Sequence, residues 1–325
     1  MSSGKLPDGA RFATRAVHAG LRPDPHYGSV VPAIHQTSTF VQPKPGEYIE
    51  DFDYARTANP TRRALEDALG ELEGGHATAF ASGLAAESAL ITAVCEAGSH
   101  VVLPRDLYGG TYRLVDKVLA RWGLRYDLVD QTDLDAVDNT FATPVNQRPL
   151  EHGADFVVHS LTKYLGGHSD TVAGAVIAAD PEWGERLRFV QNAAGAIPGP
   201  FDCFLVHRGL RTLHLRMAAS AENARAVVEF LRGRDDVSDV AWPGYSGMVS
   251  FRHPDAHAIC TRTQVFTLAE SLGGVESLIE VPQAMTHGSV EGSDAAVPAD
   301  LVRLSCGVED AADLVEDLRR ALETR

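Results

Sequence analysis

A lysine directly after an apolar segment is the feature that most constrains the fold of this chain. The apolar run from Ala154 to Val158 predicts a buried strand, and it leads into the stretch SLTKYLGGHSD, from Ser160 to Asp170. Burial disfavours the charged form of Lys163 and frees its amine for attack on a carbonyl. Side chains alternate along an extended chain, so the hydroxyls of Ser160 and Thr162 point to one side, as the binding of one phosphate requires.

A carboxylate upstream completes a recognisable set of groups. Asp138 begins the run DNTF, from Asp138 to Phe141. A carboxylate can keep a pyridine nitrogen protonated, which makes the ring an electron sink. Lysine, carboxylate and hydroxyls together are what a pyridoxal phosphate (PLP) site needs. The alternatives are an ordinary aspartate in a turn or at a helix cap and, for Lys163, a lysine on a surface loop.

These two stretches resemble the signature of the Cys/Met-metabolism enzymes that depend on PLP, the cystathionine γ-synthase and γ-lyase group. The resemblance extends from about Phe12 to about Leu322. It implies an α/β fold of PLP fold type I (aspartate-aminotransferase-like), with a mostly parallel sheet flanked by helices and a smaller α+β C-terminal domain. Alternating strand and helix patterns also favour a parallel sheet. The expected segments are an N-terminal arm (1–52), a PLP-binding large domain (53–207) and a C-terminal small domain (208–325).

Composition excludes several other classes of protein. At 44% hydrophobic and 22% charged residues, the chain has the composition of an ordinary soluble globular protein. A formal net charge of −15 argues against nucleic acids and anionic membranes as partners. We see no signal peptide or membrane-spanning run, and the four cysteines lack metal-ligand spacing. We therefore expect a cytoplasmic protein without a metal site, and the resemblance implies small-molecule amino-acid substrates.

The next candidates lie just after the N-terminal arm. Arg56 could hold a phosphate through two hydrogen bonds and Tyr54 could donate its hydroxyl, although a solvated arginine is the alternative. The resemblance implies that both side chains reach the cofactor phosphate of an adjacent subunit and that the arm wraps a neighbour. It therefore implies a homotetramer, a dimer of dimers with shared active sites.

A turn of small residues is a second candidate phosphate site. Ala77 to Phe80 predicts a strand, and the turn ASGLAA that follows opens a helix. The first N–H groups of a helix lack partners within it and favour anions, although small residues also permit close helix–strand packing. The resemblance implies that Ser82, Gly83 and Leu84 bind the phosphate of PLP.

The resemblance assigns roles to further residues of the large domain. Tyr108 could stack on a flat ring and exchange protons, or could be a half-exposed packing residue. The resemblance implies that it stacks on PLP and takes part in catalysis, and that Arg113 lies near the substrate. It also implies that Lys163 carries PLP and moves protons, with Asp138 at the pyridine nitrogen and Ser160 and Thr162 at the phosphate.

The C-terminal part contains three candidate substrate-binding residues. A strand from Val265 enters a Gly-Gly turn, where Glu270 and Ser271 could face a polar substrate or simply be solvated. Arg303 alternates with apolar residues in a predicted strand and needs a carboxylate, from a substrate or from a salt bridge. The resemblance implies that it binds the substrate α-carboxylate. One long amphipathic helix is predicted from Leu205 to Leu231, linking the domains.

Two parts of the family pattern are absent. Asp133 to Val137 should begin a helix but runs directly into Asp138, where the family has a βαβ crossover of about 30 residues or more. Loss of a central parallel strand should be strongly destabilising. A second loss, of a loop and helix, lies near the segment from Pro243 to Met248.

The implied reaction is γ-replacement on an acylated homoserine by cysteine, which gives cystathionine, with γ-elimination of cystathionine as the second candidate. The stretch from Tyr27 to His35 resembles bacterial γ-synthases. Glu270 counts against a β-lyase, and Gly110 stands where methionine γ-lyases have a cysteine. A non-catalytic family member or subunit partner, disabled by the missing crossover, is the alternative of another class. A nucleotide-binding protein is disfavoured, because no glycine-rich phosphate motif lies between a strand and a helix.

Overall fold

The computed structural model describes residues 6, 9–24, 26–105, 107–129, 137–288 and 296–323. The chain forms two compact units, a first unit of residues 1–94 and 135–214 and a second unit of residues 95–134 and 215–325. These units differ from the three predicted segments, whose bounds stay a prediction. The helix start predicted at 133–137 falls outside the described residues up to residue 136, and Val137 belongs to a strand. Most of residues 1–9, whose polar sequence predicts a loosely ordered end, also lie outside the described residues.

The helices and strands follow the alternation expected from the sequence. The described α-helices are α1 (Phe12–His18), α2 (Pro60–Glu73), α3 (Gly83–Val94), α4 (Gly109–Arg113), α5 (Thr143–Asn146), α6 (Pro181–Ala194), α7 (Pro200–Leu210), α8 (Leu213–Arg232), α9 (Ala256–Arg262), α10 (Pro282–Met285) and α11 (Ala311–Glu323). The strands are β1 (His76–Phe80), β2 (His100–Pro104), β3 (Arg125–Val129), β4 (Val137–Asp138), β5 (Phe156–Ser160), β6 (Gly174–Ala178), β7 (Ser238–Ala241), β8 (Met248–Arg252), β9 (Thr267–Leu268), β10 (Leu278–Glu280) and β11 (Leu301–Ser305).

A four-stranded sheet with the order β1-β6-β5-β4 forms the centre of the first unit. Strand β6 is antiparallel to both β1 and β5, and β4 is parallel to β5, so β1, β4 and β5 run in the same direction. The carboxyl ends of β1, β4 and β5 therefore lie at the same edge of the sheet. Strand β4 stands at the end of the strand order and is only two residues long.

Helix α2 shows why these elements form where they do. The Asn59 side chain caps its start by accepting the N–H groups of Thr61 and Arg62, and Gly74 ends it in the left-handed conformation at φ 89°. One face of the helix is fully buried and carries Leu65, Leu69 and Leu72. Burial of this face fixes α2 against the sheet.

The second unit contains two separate sheets. Strands β2 and β3 form a parallel pair, and a five-stranded sheet has the order β7-β8-β11-β10-β9. Its pairings are antiparallel except for that of β9 with β10. Helices α8, α9 and α11 contribute to one apolar core with this sheet, represented by Val227, Phe251, Ile259, Leu304 and Leu318.

The prediction of one long helix from Leu205 to Leu231 is wrong. Helix α7 ends at Leu210 and α8 begins at Leu213. Both the N–H and the hydroxyl of Thr212 donate to the carbonyl of Gly209, at 3.1 and 3.2 Å. A side-chain hydroxyl that donates to a backbone carbonyl competes with the backbone hydrogen bonds of a helix. Here α7 ends in a tight turn at this hydrogen bond.

The segment after α4 also differs from a regular α-helix. Residues Leu114–Leu119 form a π-helical stretch and Ala120–Trp122 a 3₁₀ turn, which ends at Gly123 in the left-handed conformation. The amphipathic pattern from Leu114 to Trp122 predicts a helix at this place but does not predict its π-helical and 3₁₀ geometry. No helix in the described part of the chain has the length and apolar character needed to cross a bilayer.

The second missing segment is replaced by a short turn. Strands β7 and β8 are antiparallel neighbours joined through Pro243 to Gly247. Gly244 and Ser246 adopt positive φ angles of 87° and 60°, and the Trp242 indole N–H donates to the Ser246 carbonyl at 3.0 Å. The chain thus closes this second gap as a hairpin whose strand pairing shifts register between Ser238 and Ala241.

One glycine of the first unit is required by close packing. A methyl group at Gly174 would lie 2.2 Å from the carbonyl oxygen of Ser82. We expect Gly174→Ala to lower the free energy of unfolding by about 1–3 kcal/mol, the usual cost of overpacking. Urea denaturation would measure this. Gly233→Ala is the control, because its methyl would make only ordinary contacts at 3.5 Å or more. Equal stability of the two variants would contradict the packing described.

Candidate functional site

The start of helix α3 meets the end of strand β5. A methyl group at Gly83 would lie 3.2 Å from Cβ of Ser160 and 3.4 Å from its Oγ, which is tighter than most side-chain contacts, so the two segments approach each other closely here. Ser82 caps the helix: its Oγ accepts the Ala85 N–H at 3.0 Å. Within the described residues the N–H groups of Gly83 and Leu84 form no hydrogen bond with protein atoms. The backbone of Gly83 therefore lies beside Ser160, and the contact of these groups with a phosphate stays a prediction.

The lysine follows in the turn after β5. Lys163 is half-buried, its N–H donates to the Ser160 carbonyl at 3.3 Å, and its carbonyl accepts the Gly167 N–H at 2.8 Å. The Thr162 hydroxyl donates to the carbonyl of Ala173 and accepts the N–H of the same residue, at 3.2 and 3.1 Å. Thr162 thus fastens the turn to the chain before β6. Its contact with a phosphate stays a prediction.

Asp138 lies at the end of β4 and is exposed. It is paired with Val158 of β5, and its Oδ1 accepts the N–H of Thr140 at 2.9 Å. This is the turn aspartate of the alternative interpretation. The Thr140 hydroxyl in turn accepts the Ser160 N–H at 2.9 Å. Asp138 is therefore connected to the end of β5 through one residue, and its role at a pyridine nitrogen stays a prediction.

A buried polar cluster behind these residues was not predicted. Oε1 of Glu73 lies 2.5 Å from Nε2 of His159 and 3.0 Å from Nδ2 of Asn139. The side chains of Glu73 and His159 are completely buried, and Asn139 is 1% exposed. Two signals were available in the sequence. Glu73 stands four residues after Leu69, on the apolar face of α2, and His159 alternates with Val157 at the buried positions of β5.

Tyr54 and Arg56 lie together at another place in the first unit. The Arg56 guanidinium donates to the Asn192 carbonyl at 2.9 Å and its carbon lies 5.5 Å from the centre of the Tyr54 ring. Both side chains are exposed and line a cavity of about 440 Å³. The other lining residues are Gln36, Thr37, Ser38, Ala55, Gly195 and Ile197. Neither Ser160 nor Lys163 is among them.

Tyr108 and Arg113 belong to the second unit. Tyr108 precedes helix α4 and is 55% exposed, and its carbonyl accepts the Tyr112 N–H at 3.1 Å. Arg113, the last residue of α4, is exposed. The roles predicted for both residues, at the cofactor ring and at the substrate, stay predictions.

Arg303 is held by a buried carboxylate in the second unit. It faces Glu280 across the antiparallel pair β10–β11, and its Nη2 lies 2.9 Å from Oε1 of Glu280. The same nitrogen donates to the Ser271 carbonyl at 3.3 Å. The salt bridge that was the alternative interpretation of Arg303 therefore exists. Glu280, an acid in the apolar run of β10, is a residue that the sequence analysis missed.

The Gly-Gly turn beside Arg303 is strained. Ser271 adopts a φ of 101°, a conformation that costs a residue with a side chain about 1–3 kcal/mol. The turn is held by the Gly273 N–H, which donates to the Ser305 hydroxyl at 2.8 Å. Glu270, directly before Ser271, is exposed. Strain held in place by the surrounding structure is typical of functional positions, which supports the candidate assignment of this turn.

The groups brought together in the first unit fit PLP. The N–H groups of Gly83 and Leu84, which bond to no described protein atom, and the hydroxyl of Ser160 beside Gly83 are donors suited to a phosphate. Lys163 lies three residues beyond Ser160, in the turn that continues β5. These donors and this amine would hold the phosphate and carbonyl ends of the cofactor.

The chain matches a family of known proteins over nearly its whole length. The family is described as Cys/Met metabolism PLP-dependent enzyme, and the match covers residues 13–137 and 134–323. The two matched parts meet at the point where the sequence analysis found the missing crossover.

Individual relatives give the same result. A cystathionine γ-synthase from Mycobacterium tuberculosis (strain ATCC 25618 / H37Rv) is 48% identical over 95% of this chain and 96% of its own length. A cystathionine γ-lyase from Bacillus subtilis (strain 168) is 41% identical over 95% and 98%. The crystal structure of metB from Corynebacterium glutamicum has a TM-score of 0.95 at 40% identity and covers 98% of this chain and 99% of its own. The M. tuberculosis match spans 373 positions, so at least 48 of them have no counterpart in these 325 residues.

The pH dependence of stability tests the surroundings of Arg303. Burial, and then the positive charge of Arg303, lower the pKa of His287 below 6.5. His287 therefore binds a proton less readily in the folded protein than in the unfolded chain. The free energy of unfolding should fall as the pH drops from 6.5 toward the lowered pKa. His287→Gln should weaken this dependence in thermal unfolding measured between about pH 5 and 8. The exposed His257→Gln is the control; an unchanged pH dependence in His287→Gln would contradict the prediction.

Proposed function

Because this chain belongs to the Cys/Met metabolism family of PLP-dependent enzymes, we propose that it is a cystathionine γ-synthase. The reaction breaks the γ C–O bond of an acylated homoserine and forms a γ C–S bond with cysteine. The acyl group leaves as a carboxylate and the thiol loses its proton. The observation that carries the proposal is the identity to the M. tuberculosis γ-synthase, which exceeds that to the γ-lyase over the same share of the chain.

Residues of the first unit would hold and protonate the cofactor. The N–H groups of Gly83 and Leu84 and the hydroxyls of Ser82, Ser160 and Thr162 would bind its phosphate. Lys163 would carry it covalently and, once released by the substrate amine, move a proton at the substrate Cα. Asp138 would keep the pyridine nitrogen protonated. When bound, PLP supplies an electron sink for the negative charge that develops at Cα.

Residues of the second unit would bind the amino-acid substrate. The guanidinium of Arg303 would bind the substrate α-carboxylate in the two-pronged manner that its planar shape allows. Glu280 would fix the orientation of the Arg303 guanidinium, because the Glu280 carboxylate forms a salt bridge with one Arg303 nitrogen at 2.9 Å. Tyr108 would stack on the cofactor ring and exchange protons, and Arg113, Glu270 and Ser271 would contact the polar parts of the substrate.

Cystathionine γ-lyase is the second candidate. It differs in the acceptor, because water and a proton replace the cysteine thiol. Relatives of both names match most of the chain, and the lower identity to the lyase places it second. Glu270 suits both activities. We propose a cytoplasmic location in either case.

We further propose a homotetramer in which sites are shared between chains. Arg56 and Tyr54 lie at a cavity whose lining contains neither Ser160 nor Lys163. A guanidinium and a phenol that are exposed together are suited to an anion from elsewhere. A cofactor phosphate held by a neighbouring chain is such an anion.

Replacement of the lysine tests the proposal directly. We expect the purified chain with added PLP to show the absorption band of lysine-bound cofactor and to form cystathionine from cysteine and an acylated homoserine. Lys163→Ala should lose the band and reduce activity by a factor of about 10³ or more, because both attachment and proton transfer are lost. Lys44→Ala, an exposed lysine beside Glu47, is the control. A folded parent chain without the band would instead support the non-catalytic alternative.

Mixing of inactive chains tests the shared site. Co-expression of Arg56→Ala with Lys163→Ala should restore about a quarter of the parent activity, because half of the pairs are mixed and each mixed pair keeps one intact site. Ser160→Ala with Lys163→Ala should restore none, since both residues act in the same chain. Absence of restoration in the first mixture, with mixed pairs verified by mass spectrometry, would contradict site sharing.

A further inference from the structure

The buried cluster of Glu73, His159 and Asn139 spans three elements of the first unit. Glu73 ends α2, His159 lies in β5, and Asn139 directly follows β4. All three residues are at least 99% buried. Burial of three polar side chains is costly unless they bond with one another, so a shared function is a reason for their presence.

The donors and acceptors of this cluster are fixed by chemistry. Nδ2 of Asn139 donates to Oε1 of Glu73 at 3.0 Å and to the Gln147 carbonyl at 2.9 Å. Both partners are oxygen acceptors, so only the amide nitrogen can stand at this position. The same Glu73 oxygen accepts from Nε2 of His159. One carboxylate oxygen therefore joins the end of β4 to β5.

The cluster and the candidate cofactor residues are immediate neighbours in the chain. His159 precedes Ser160, and Asn139 follows Asp138. Because successive side chains of a strand point to opposite faces, His159 faces α2 while Ser160 faces the start of α3. The cluster thus lies on the other side of the sheet from Ser160 and cannot contact a phosphate bound there.

Strand β4 depends on the cluster because its own pairing is short. It has only two ladder positions, opposite Val157 and Val158 of β5, and stands at the end of the strand order. Beyond these positions Asn139 is the next anchor, through its N–H to the Val158 carbonyl at 3.1 Å and through its side chain. An edge strand of this length has little stability of its own.

From these contacts we infer that Glu73 is a positioning residue of the cofactor site. Its carboxylate oxygen holds Asn139 and His159, and through the backbone it sets Asp138 and Ser160 at the spacing PLP requires. The inference rests on the proposed roles of Asp138 and Ser160. Glu73 and His159 would act through Asp138 and Ser160 and not by contact with the cofactor, because His159 faces α2.

The test distinguishes the effect of the hydrogen-bond acceptor at residue 73 from the effect of the size of its side chain. Glu73→Met keeps the size of the side chain and removes the acceptor, whereas Glu73→Gln keeps Oε1 as an acceptor for both partners. We expect Glu73→Met to weaken the equilibrium binding of PLP by about tenfold or more, as for a lost buried hydrogen-bond partner, and Glu73→Gln to stay within about threefold of the parent. Absorbance titration with PLP measures both.

Two further variants exclude a general loss of stability. Asp317→Asn removes another buried carboxylate, in the second unit, which accepts the N–H groups of Gln264, Val265 and Phe266. It should lower the melting temperature without changing PLP affinity. If Glu73→Met does not fold, Asn139→Asp decides in its place, because it keeps the shape of Asn139 but loses both donors.

The outcomes separate this inference from the proposed function. A parent that binds PLP but forms no cystathionine refutes the γ-synthase proposal and leaves the inference standing. Parent-like PLP affinity in folded Glu73→Met, or in Asn139→Asp where that variant decides, overturns the inference alone. Equal weakening in Asp317→Asn also overturns it, because the effect would then reflect stability.

Discussion

The close approach of helix α3 to strand β5 is the contact on which the candidate site depends. Strand β1 and strand β5 run in the same direction with β6 between them, so their carboxyl ends lie at one sheet edge. The turn after β1 lies close to Ser160, where a methyl group at Gly83 would make a tight contact, and Gly174 leaves room for the Ser82 carbonyl. Parts of the chain that are distant in sequence meet at these two glycines and form the cradle that we propose for the phosphate.

The missing crossover lies next to Asp138 in the chain and leaves the elements that carry Ser160 and Lys163 in place. The cradle and the turn that carries Lys163 are built from β1, α3, β5 and β6, all of which are present. Asp138, by contrast, stands on a two-residue strand at the end of the strand order and is exposed. At least 48 positions of the γ-synthase relative have no counterpart in this chain. We therefore expect their absence to affect mainly the proposed role of Asp138, next to which the Glu73 cluster supplies a buried anchor.

Much of the local structure could be predicted from the sequence, because it is decided by near neighbours. Strand β1 and the strand before Lys163 follow from apolar runs and turn residues, within two residues of their observed bounds, whereas α3 begins at Gly83, inside the run ASGLAA that was predicted as a turn. The partners of buried charges could not be predicted. Glu73 with His159, and Glu280 with Arg303, meet only after distant segments have packed. The break between α7 and α8 was missed because a single Thr212 hydroxyl ends a helix that the apolar pattern continues.

Borohydride reduction of the chain in the presence of PLP, followed by peptide mass mapping, tests the central claim most directly. Reduction fixes the cofactor to whichever amine carries it. If the cradle and the turn after β5 form a cofactor site despite the missing crossover, one equivalent of pyridoxyl group should be found on the peptide that contains Lys163. Label spread over the exposed residues Lys44 and Lys117, or no label on a folded chain, would contradict the account.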